Sequence, residues 1–391
     1  MGDLQRLKLV LDNLPDEELM QAIEEDRGCG RDDYPVRVMW NLLIAGIVYQ
    51  HPSTESLIRE LKRNAQLRQV CGMNPFETKY PESWNLSRFN KHLIKHQDLL
   101  HRIFQELVEQ LYESLPDFGS VLAMDGKALP RRGKPNKSSK KDGRRDLDAD
   151  WGVKQYRGTH KDGAHWVKKI TWFGYNLHLI VDAEYELPVA YHLTKASKSE
   201  VTEAHKRLDS IKNIMPGILN EADYFPADRG YDEGKLIKRL WDDYQIKPVI
   251  DIRKMWQDEE ETQILDGYEN VGYDFKGTVS CDDPDSVAVF EMPYAGFEKA
   301  RETLKYRCPA LHYGVECQGQ KICPIASAMR IKMETDRRVL TPLARSSYKW
   351  KERYKKRSSV ERVNSRLDES FGFENHTIRG EEKMRIRVSL A

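Results

Sequence analysis

The sequence lacks any apolar run long enough to cross a membrane. No apolar stretch reaches the roughly 18 residues that a bilayer requires, although apolar residues make up 39% of the 391 residues. The first residues, Met-Gly-Asp-Leu-Gln-Arg, also lack the apolar core of a signal peptide. Cysteine is scarce as well, since six cysteines in this length do not suggest a disulfide framework. We therefore expect a reduced, cytoplasmic protein with no membrane partner and two or three domains.

The chain also lacks a large net charge of either sign. The formal charge is +1, so the overall field does not indicate a nucleic-acid partner. Basic residues are instead concentrated in two segments: eight Lys or Arg with one acid between Arg131 and Arg145, and nine with two acids between Arg345 and Arg366. Such segments can neutralise phosphates. The alternative is an ordinary solvated surface.

Residues 1–115 have a helical pattern. Apolar residues recur at helical spacing, as in Leu57, Ile58 and Leu61, and short breaks contain Pro or Gly. We expect a helical N-terminal domain over residues 1–118, with the binding of DNA ends as its candidate role. Most helical bundles do not bind DNA, so composition alone does not establish that role.

The pattern changes near Ser120 to one of mixed strands and helices. Val121 to Met124 predicts a buried strand ending at Asp125, followed by a mobile Lys-, Arg-, Gly- and Ser-rich loop to about Lys161. The later elements are two antiparallel strands within 166–193, a helix over 201–214, a strand over 224–227, a helix after Asp232 to about Tyr244, and a strand over 247–252. This order predicts an α/β, RNase H-like mixed sheet with flanking helices.

The rest of the chain divides into an insertion and a second part of this core. We expect the core to occupy 119–257 and 336–391, with a cysteine-containing insertion at 258–335 between them. A helix is predicted over Ser358–Ser370, with one apolar stripe. Another helix begins near Glu381 and reaches the last residue, which predicts a chain truncated at its C-terminus.

Three carboxylates, Asp125, Asp228 and Glu361, are candidates for one metal site. Nucleases that use two divalent cations hold them roughly 3.5–4 Å apart across a phosphodiester. Mg²⁺ prefers oxygen ligands, and the ends of strands open onto a crevice where carboxylates can meet. Each residue has a simpler interpretation: a turn aspartate at Asp125-Gly126, a capping aspartate at Asp228, and a capping box from Ser358 to Glu361.

The segments around these acids resemble the DDE transposases of bacterial insertion sequences, in the group with a Tyr-x2-Arg-x3-Glu-x6-Lys signature. The matching segments are Ala-Met-Asp-Gly-Lys at 123–127, Ala-Asp-Arg-Gly-Tyr-Asp at 227–232, and Tyr354 to Arg362. Tyr354, Arg357 and Glu361 match the signature at its spacing. Its lysine position, which in the family is associated with holding the transposon end, is occupied by Asp368, and Arg362 or Arg366 is the candidate substitute.

The resemblance implies a function and a set of site residues. Asp125, Asp228 and Glu361 would bind two Mg²⁺ or Mn²⁺ ions, while Tyr354 and Arg357 would contact DNA near the scissile phosphate. Transposon ends and target DNA would be the double-stranded partners of a nucleoid-associated homodimer. Further candidate DNA contacts are Arg131, Arg132, Arg362 and Arg366.

Four of the six cysteines, with one histidine among them, lie in the predicted insertion. Cys308-x3-His312-x4-Cys317-x5-Cys323 places four ligands close together, as a tetrahedral structural Zn²⁺ requires. The fourth cysteine of this region is Cys281. Tight Cys-x2-Cys pairs are missing, so free buried thiols are the alternative, as they are for Cys29 and Cys71 elsewhere in the chain.

Two other functions compete with that of a transposase. A non-catalytic DNA-binding protein of the same fold predicts loss of at least one acid, yet all three are present. A glycosidase that uses a pair of carboxylates gives no reason for the basic segments beside two of the acids. Nicking of labelled terminal-repeat DNA with Mg²⁺ or Mn²⁺ distinguishes a transposase from the non-catalytic DNA-binding protein. Binding without cleavage would favour the non-catalytic protein.

Overall fold

The computed structural model describes residues 1–28, 34–131, 148–160, 164–256, 262–325 and 327–391. Most of the first basic segment, including Arg132, lies outside these ranges. Within the described ranges, no helix is both long and apolar enough to span a bilayer.

Helices form the N-terminal part of the chain, as predicted. They are α1 (Asp3–Asn13), α2 (Glu17–Arg27), α3 (Val36–Val48), α4 (Thr54–Arg63), α5 (Ala65–Val70), α6 (Ser83–Lys95) and α7 (Gln97–Ser114). The apolar α3 is their centre, with Trp40 almost fully buried. Its indole nitrogen donates to the buried Asp16 carboxylate at 2.5 Å, so a polar group inside this core is satisfied.

A mixed six-stranded sheet follows the helices. Its strands are β1 (Leu122–Pro130), β2 (Asp150–Thr159), β3 (His165–Asp182), β4 (Leu187–Lys195), β5 (Tyr224–Ala227) and β6 (Lys247–Ile250). They lie in the order β2-β3-β1-β5-β6, and β4 also pairs with β3. The pairs of β3 with β1, β2 and β4 are antiparallel, while β1, β5 and β6 are parallel. The sheet thus has the predicted mixed RNase H-like order.

Parallel neighbours need crossover connections, which helices provide. The crossover from the antiparallel strands to β5 contains α8 (Glu200–Ile214) and α9 (Pro216–Glu221), and that from β5 to β6 contains α10 (Gly234–Tyr244). Their apolar faces bury against the sheet, with Leu208, Ile218 and Leu240 in the same core as Phe225. This packing holds the first residues of β1 beside β5.

Two predictions about the sheet were wrong. β1 continues past Asp125 to Pro130, because it pairs with β3 along its whole length. The predicted basic loop to Lys161 contains β2, whose glycines gave it a loop-like composition. A Cβ on Gly152 would lie 2.3 Å from the ring of Trp172, its partner in register on β3, so this glycine makes room for an indole.

The predicted insertion forms two small sheets. One consists of β7 (Thr262–Ile264), β8 (Val271–Asp274), β9 (Val279–Asp282) and β10 (Val289–Glu291). The other consists of β11 (Tyr294–Glu298), β12 (Thr303–Arg307) and β13 (Ala328–Lys332), with the short helix α11 (Pro309–Tyr313) after β12. The two sheets share one apolar core that includes Tyr273, Leu304 and Tyr306.

Three helices complete the chain: α12 (Tyr348–Lys355), α13 (Ser358–Phe371) and α14 (Glu381–Leu390). α13 packs on β1 and β3, with Val360 and Val363 buried. α14 packs on α6 and α7, and its Ile386 joins the core of the N-terminal helices. The last helix therefore completes a core formed mainly by the first hundred residues.

Candidate active site

Asp125 and Asp228 lie side by side on neighbouring strands. The parallel pair of β1 and β5 brings Met124 opposite Ala227, and each aspartate is the next residue in its strand's direction. Asp228 directly follows β5, and its carboxylate accepts from the Gly230 N–H at 2.6 Å. Burial raises the pKa of Asp125 to about 6, with Lys154 opposing and Asp228 adding to this shift. Two of the three predicted acids therefore influence one another.

A third carboxylate at this position is Glu200, which the sequence analysis did not identify. It is the first residue of α8. A Cβ on Gly126 would lie 2.8 Å from its Oε1, and a Cβ on Gly230 would lie 2.8 Å from its Oε2. Its carboxylate therefore fits between the glycines that accompany Asp125 and Asp228. An acid in the first turn of a helix is common for dipole reasons alone, so its sequence position carried no distinctive signal.

Lys154 supplies the positive charge among these acids. Its Nζ lies 3.1 Å from Glu200 Oε1 and donates to the Gly126 carbonyl oxygen at 3.1 Å. Burial lowers the pKa of Lys154, but Glu200, Asp125 and Asp228 more than offset this, and the pKa is raised overall. The ammonium group thus balances three carboxylates with one charge.

The Tyr231 hydroxyl lies beneath the same acids. Tyr231 is fully buried, and among the described residues its oxygen has no hydrogen-bond partner. Burial, then the charges of Glu200, Asp125 and Asp228, raise its pKa well above the ordinary value. A buried hydroxyl without a partner is unusual in a folded protein and marks an incompletely satisfied polar site.

Glu361 lies on α13 and faces a different partner. Its side chain is 53% exposed, and its Oε1 accepts from Arg357 at 2.6 Å. The predicted capping box is wrong, because the Ser358 hydroxyl donates to the Lys355 carbonyl oxygen instead and no side chain caps this helix. Burial lowers the pKa of Arg357, but Glu361 and, more weakly, Asp125 raise it overall. Arg357 therefore forms its ion pair with Glu361 and is only weakly influenced by Asp125.

No three His, Cys, Asp or Glu side chains of the described residues form a group that could already hold a metal ion. The donor chemistry nevertheless suits a hard divalent cation, because Asp125, Asp228 and Glu200 offer only carboxylate oxygens. A bound cation would take over the charge balance that Lys154 now provides. Glu361 would have to exchange its contact with Arg357 for one with the cation.

The other predicted DNA contacts that the structure describes each have a partner within the protein. Tyr354 stacks on Trp350 with ring centroids 4.7 Å apart, and the Arg357 guanidinium lies 5.8 Å from the Tyr354 ring. Arg362 and Arg366 both bind Glu186 in the turn between β3 and β4. The guanidinium of Arg131, the last described residue before the gap, lies 5.3 Å from the ring of Phe173.

Asp368, at the lysine position of the signature, binds a lysine from elsewhere. Lys127, two residues after Asp125 on β1, lies 2.6 Å from Asp368 Oδ2 and 2.6 Å from Glu374 Oε1. A basic side chain is thus present beside this part of α13, although β1 supplies it.

The loop after Asp228 is fixed by a buried ion pair. Asp232 precedes α10 but does not cap it, because Glu233 is the cap and accepts from the Leu236 N–H. Asp232 instead binds Arg338 at 2.6 Å and accepts from the Arg253 N–H at 2.7 Å. The loop is thereby connected to the segment that follows the insertion.

Two histidines paired across β3 and β4, of which His178 is fully buried and His192 is 30% exposed, should make the stability pH-dependent. His178 is paired with His192 in register, and burial lowers the pKa of each to about 4. Between an ordinary pKa of 6.5 and 4, the unfolded chain binds more protons than the folded one. Stability from His178 is therefore complete above pH 6.5 and is lost as the pH falls towards 4.

The measurement is urea unfolding at pH 7.5, 6 and 5 for the wild type and a His178→Gln variant. Because the raised pKa of Asp125 acts in the opposite direction, the difference between the two proteins is the quantity to follow. We expect the gap between their free energies of unfolding to narrow as the pH falls. A gap that is the same at all three pH values would contradict this assignment.

The cysteines of the insertion lie around one cavity, and they include one cysteine that the spacing in the sequence did not predict as a ligand. Cys308, Cys317 and Cys323 line one small cavity, and its fourth thiol belongs to Cys281. His312 lies outside that cavity, exposed, with its Nδ1 3.2 Å from the Arg307 guanidinium. Of the remaining cysteines, Cys71 is a free thiol in the helical core and Cys29 is outside the described residues.

Family comparisons agree with the division seen in the fold. Residues 116–391 match the family model described as "Transposase DDE domain", and residues 3–92 match "Transposase domain (DUF772)". No curated protein matches the chain. A solved structure described as the cryo-EM structure of the piggyBac transposase synaptic complex with hairpin DNA is 10% identical, covering 97% of this chain and 78% of that one. Its TM-score of 0.36 is too low to carry an argument.

Proposed function

Because the chain belongs to the family of transposase DDE domains, we propose that it cuts DNA at transposon ends and joins the freed ends to target DNA. The observation that carries this proposal is the side-by-side position of Asp125, within β1, and Asp228, directly after the parallel strand β5. A water would open one phosphodiester and leave a 3′-hydroxyl. That hydroxyl would then attack a target phosphodiester and release a 3′-hydroxyl of the target strand.

Asp125, Asp228 and Glu361 would hold two Mg²⁺ or Mn²⁺ ions in this proposal. Such ions activate the attacking water and stabilise charge on the phosphodiester oxygens. Glu200 would add a further carboxylate, since its side chain already lies between the two glycines beside Asp125 and Asp228. For Glu361 to join, Arg357 must release it, and a DNA phosphate is a suitable new partner for that guanidinium.

Double-stranded DNA is the proposed partner, with two copies of the chain acting on paired ends as the family implies. Tyr354 and Arg357 are the proposed contacts near the scissile phosphate, because both lie beside the acids. Burial, then Asp251 and more weakly Asp228, raise the pKa of Tyr354, so it remains a hydroxyl donor at neutral pH. For Arg362 and Arg366, binding DNA would require release from Glu186.

The direct test is cleavage of a labelled duplex that carries the DNA ends flanking the coding sequence. We expect single-strand nicks at the transposon boundary with Mg²⁺ or Mn²⁺ and none with EDTA. A duplex of scrambled end sequence is the control. Tight binding without nicking under any metal condition would support the alternative, a non-catalytic DNA-binding protein.

Lys154 and Glu200 allow a test of the metal site that needs no DNA. A Lys154→Met variant leaves three carboxylates without the ammonium that balances them, so the metal-free protein should lose on the order of 1 kcal/mol of stability. Adding Mn²⁺ should then raise its melting temperature more than that of the wild type. Mn²⁺ should raise the melting temperature of a Glu200→Gln variant, which lacks one negative charge, less than that of the wild type.

The melting temperatures can be followed by circular dichroism in EDTA and in Mn²⁺. Lys198→Met is the control, because this exposed lysine precedes α8 without joining the acids. Equal Mn²⁺ shifts in all four proteins would argue against a cation site formed by these residues.

A further inference from the structure

Four cysteines of the insertion line a single cavity. Cys281 lies on β9 of the four-stranded sheet, and Cys308 directly follows β12 of the three-stranded sheet. Cys317 and Cys323 lie on either side of a short turn over 318–321. The cavity between them has a volume of about 20 Å³. That is room for one ion or one water.

The surroundings of these thiols favour a cation. Cys281 and Cys308 are buried, and Cys317 and Cys323 are partly so. Soft thiolates in this number are the ligands that Zn²⁺ takes in structural sites.

The segment that carries Cys317 and Cys323 is anchored to the end of β9. The buried Asp283 carboxylate accepts from the N–H groups of Gln318 and Gly319, both at 2.8 Å. A Cβ on Gly319 would lie 2.6 Å from Pro284 Cδ, so the close approach requires glycine. The Asn270 amide lies 3.6 Å from Cys323 Sγ as a donor. Donors of this kind orient metal-bound thiolates.

His312 does not fit this group. Its ring contacts Arg307 and lies 4.7 Å from the ring of Tyr313, on the exposed surface of α11. A nitrogen facing a guanidinium is a poor metal ligand, because a cation already occupies its lone-pair side. The close spacing in sequence predicted His312 as a ligand, whereas the cavity offers Cys281 on β9 in its place.

We propose that Cys281, Cys308, Cys317 and Cys323 bind one structural Zn²⁺ that joins the two small sheets of the insertion. The thiols of the described residues are not already in a coordinating arrangement, so they would turn towards the cavity as the ion enters and they lose their protons. The ion would connect β9, the end of β12 and the turn over 318–321. This site is separate from the carboxylates and does not depend on the proposed cleavage function.

The test uses the full-length protein purified from a zinc-supplemented culture without chelator. We expect one zinc per chain by elemental analysis. Replacement by Co²⁺ should give the strong near-ultraviolet thiolate charge-transfer bands and visible bands of a four-cysteine tetrahedral site. Less than a tenth of an equivalent of zinc, with no such cobalt spectrum, would overturn the proposal.

The variants distinguish the ligand sets. Cys281→Ser should lose at least 90% of the bound metal after dialysis against a weak chelator, whereas His312→Ala should keep its full equivalent. Cys71→Ser is the matched control, since it removes a buried thiol outside the insertion. Zinc retained by Cys281→Ser but lost by His312→Ala would overturn the four-cysteine assignment. If Cys281→Ser does not fold, the wild-type cobalt spectrum still decides between four sulfur ligands and three.

Discussion

Replacing Asp228 by asparagine should leave the protein folded and able to bind DNA, but should slow metal-dependent nicking at least about 1,000-fold, or about 4 kcal/mol. Asparagine keeps the oxygen that accepts from the Gly230 N–H, so the turn after β5 can form as before. What it removes is the negative charge that would bind a cation. The loss should therefore appear in the rate and not in the fold.

The other end of the same strand provides a matched control. Asp223 immediately precedes β5, and its side chain is 67% exposed, with Lys247 at 3.7 Å. An Asp223→Asn variant changes the same charge on the same strand and should nick at nearly the wild-type rate. Nicking rates in Mn²⁺, DNA binding and circular dichroism should be compared for both variants. Wild-type nicking by Asp228→Asn would refute the assignment of this residue.

Replacing Arg345 by methionine should lower the free energy of unfolding by roughly 3–5 kcal/mol. The buried guanidinium donates to three backbone carbonyl oxygens, of Ile250 at 3.1 Å, Val339 at 2.6 Å and Arg338 at 3.1 Å. Methionine can fill much of the space but donates no hydrogen bond. All three carbonyl groups would lose a partner where water cannot easily replace it.

Arg337 is the matched control for this substitution. It binds Asp242 and lies 3.9 Å from Glu302, in a more exposed position. An Arg337→Met variant should lose less than about 1 kcal/mol, as partly solvated ion pairs usually do. Urea unfolding at neutral pH measures both. If the two variants are equally stable, the buried carbonyl network does not have the importance assigned to Arg345.

The sequence was most informative where a local pattern decides the structure. The N-terminal helices follow from apolar spacing, and the strand over Tyr224–Ala227 was predicted with its observed ends. α13 was predicted within one residue at its end. Apolar periodicity reports which face of an element is buried, and that face does not depend on distant residues.

The errors arose where a distant partner decides the structure. β2 is a strand because β3 pairs with it, and Gly152 makes room for Trp172 on that partner. Asp232 would suit a helix cap, but Arg338, far along the chain, binds it instead. Neither partner can be identified from local composition.

The same limit applies to the site residues. Asp125 and Asp228 were recognised by their flanking segments, and the structure brings them together. Glu200 has no such flanking pattern. Cys281 lies on β9, and three strands, β10, β11 and β12, separate it in the sequence from the other three cysteines of the cavity. Tyr354 and Arg357 lie near the acids, while the assignments of Glu361 and the arginines to metal and DNA stay predictions.

The position of α14 has a consequence for how the chain is made. Ile386 belongs to the same core as Leu7, Trp40 and Leu61, so the first helices bury their apolar surface fully only when α14 is in place. During synthesis, an N-terminal helical unit would emerge with part of its apolar surface uncovered. Contacts between such distant residues also slow folding, because a long loop must close before they form. The core of the first helices can therefore be completed only after α14 has been synthesised.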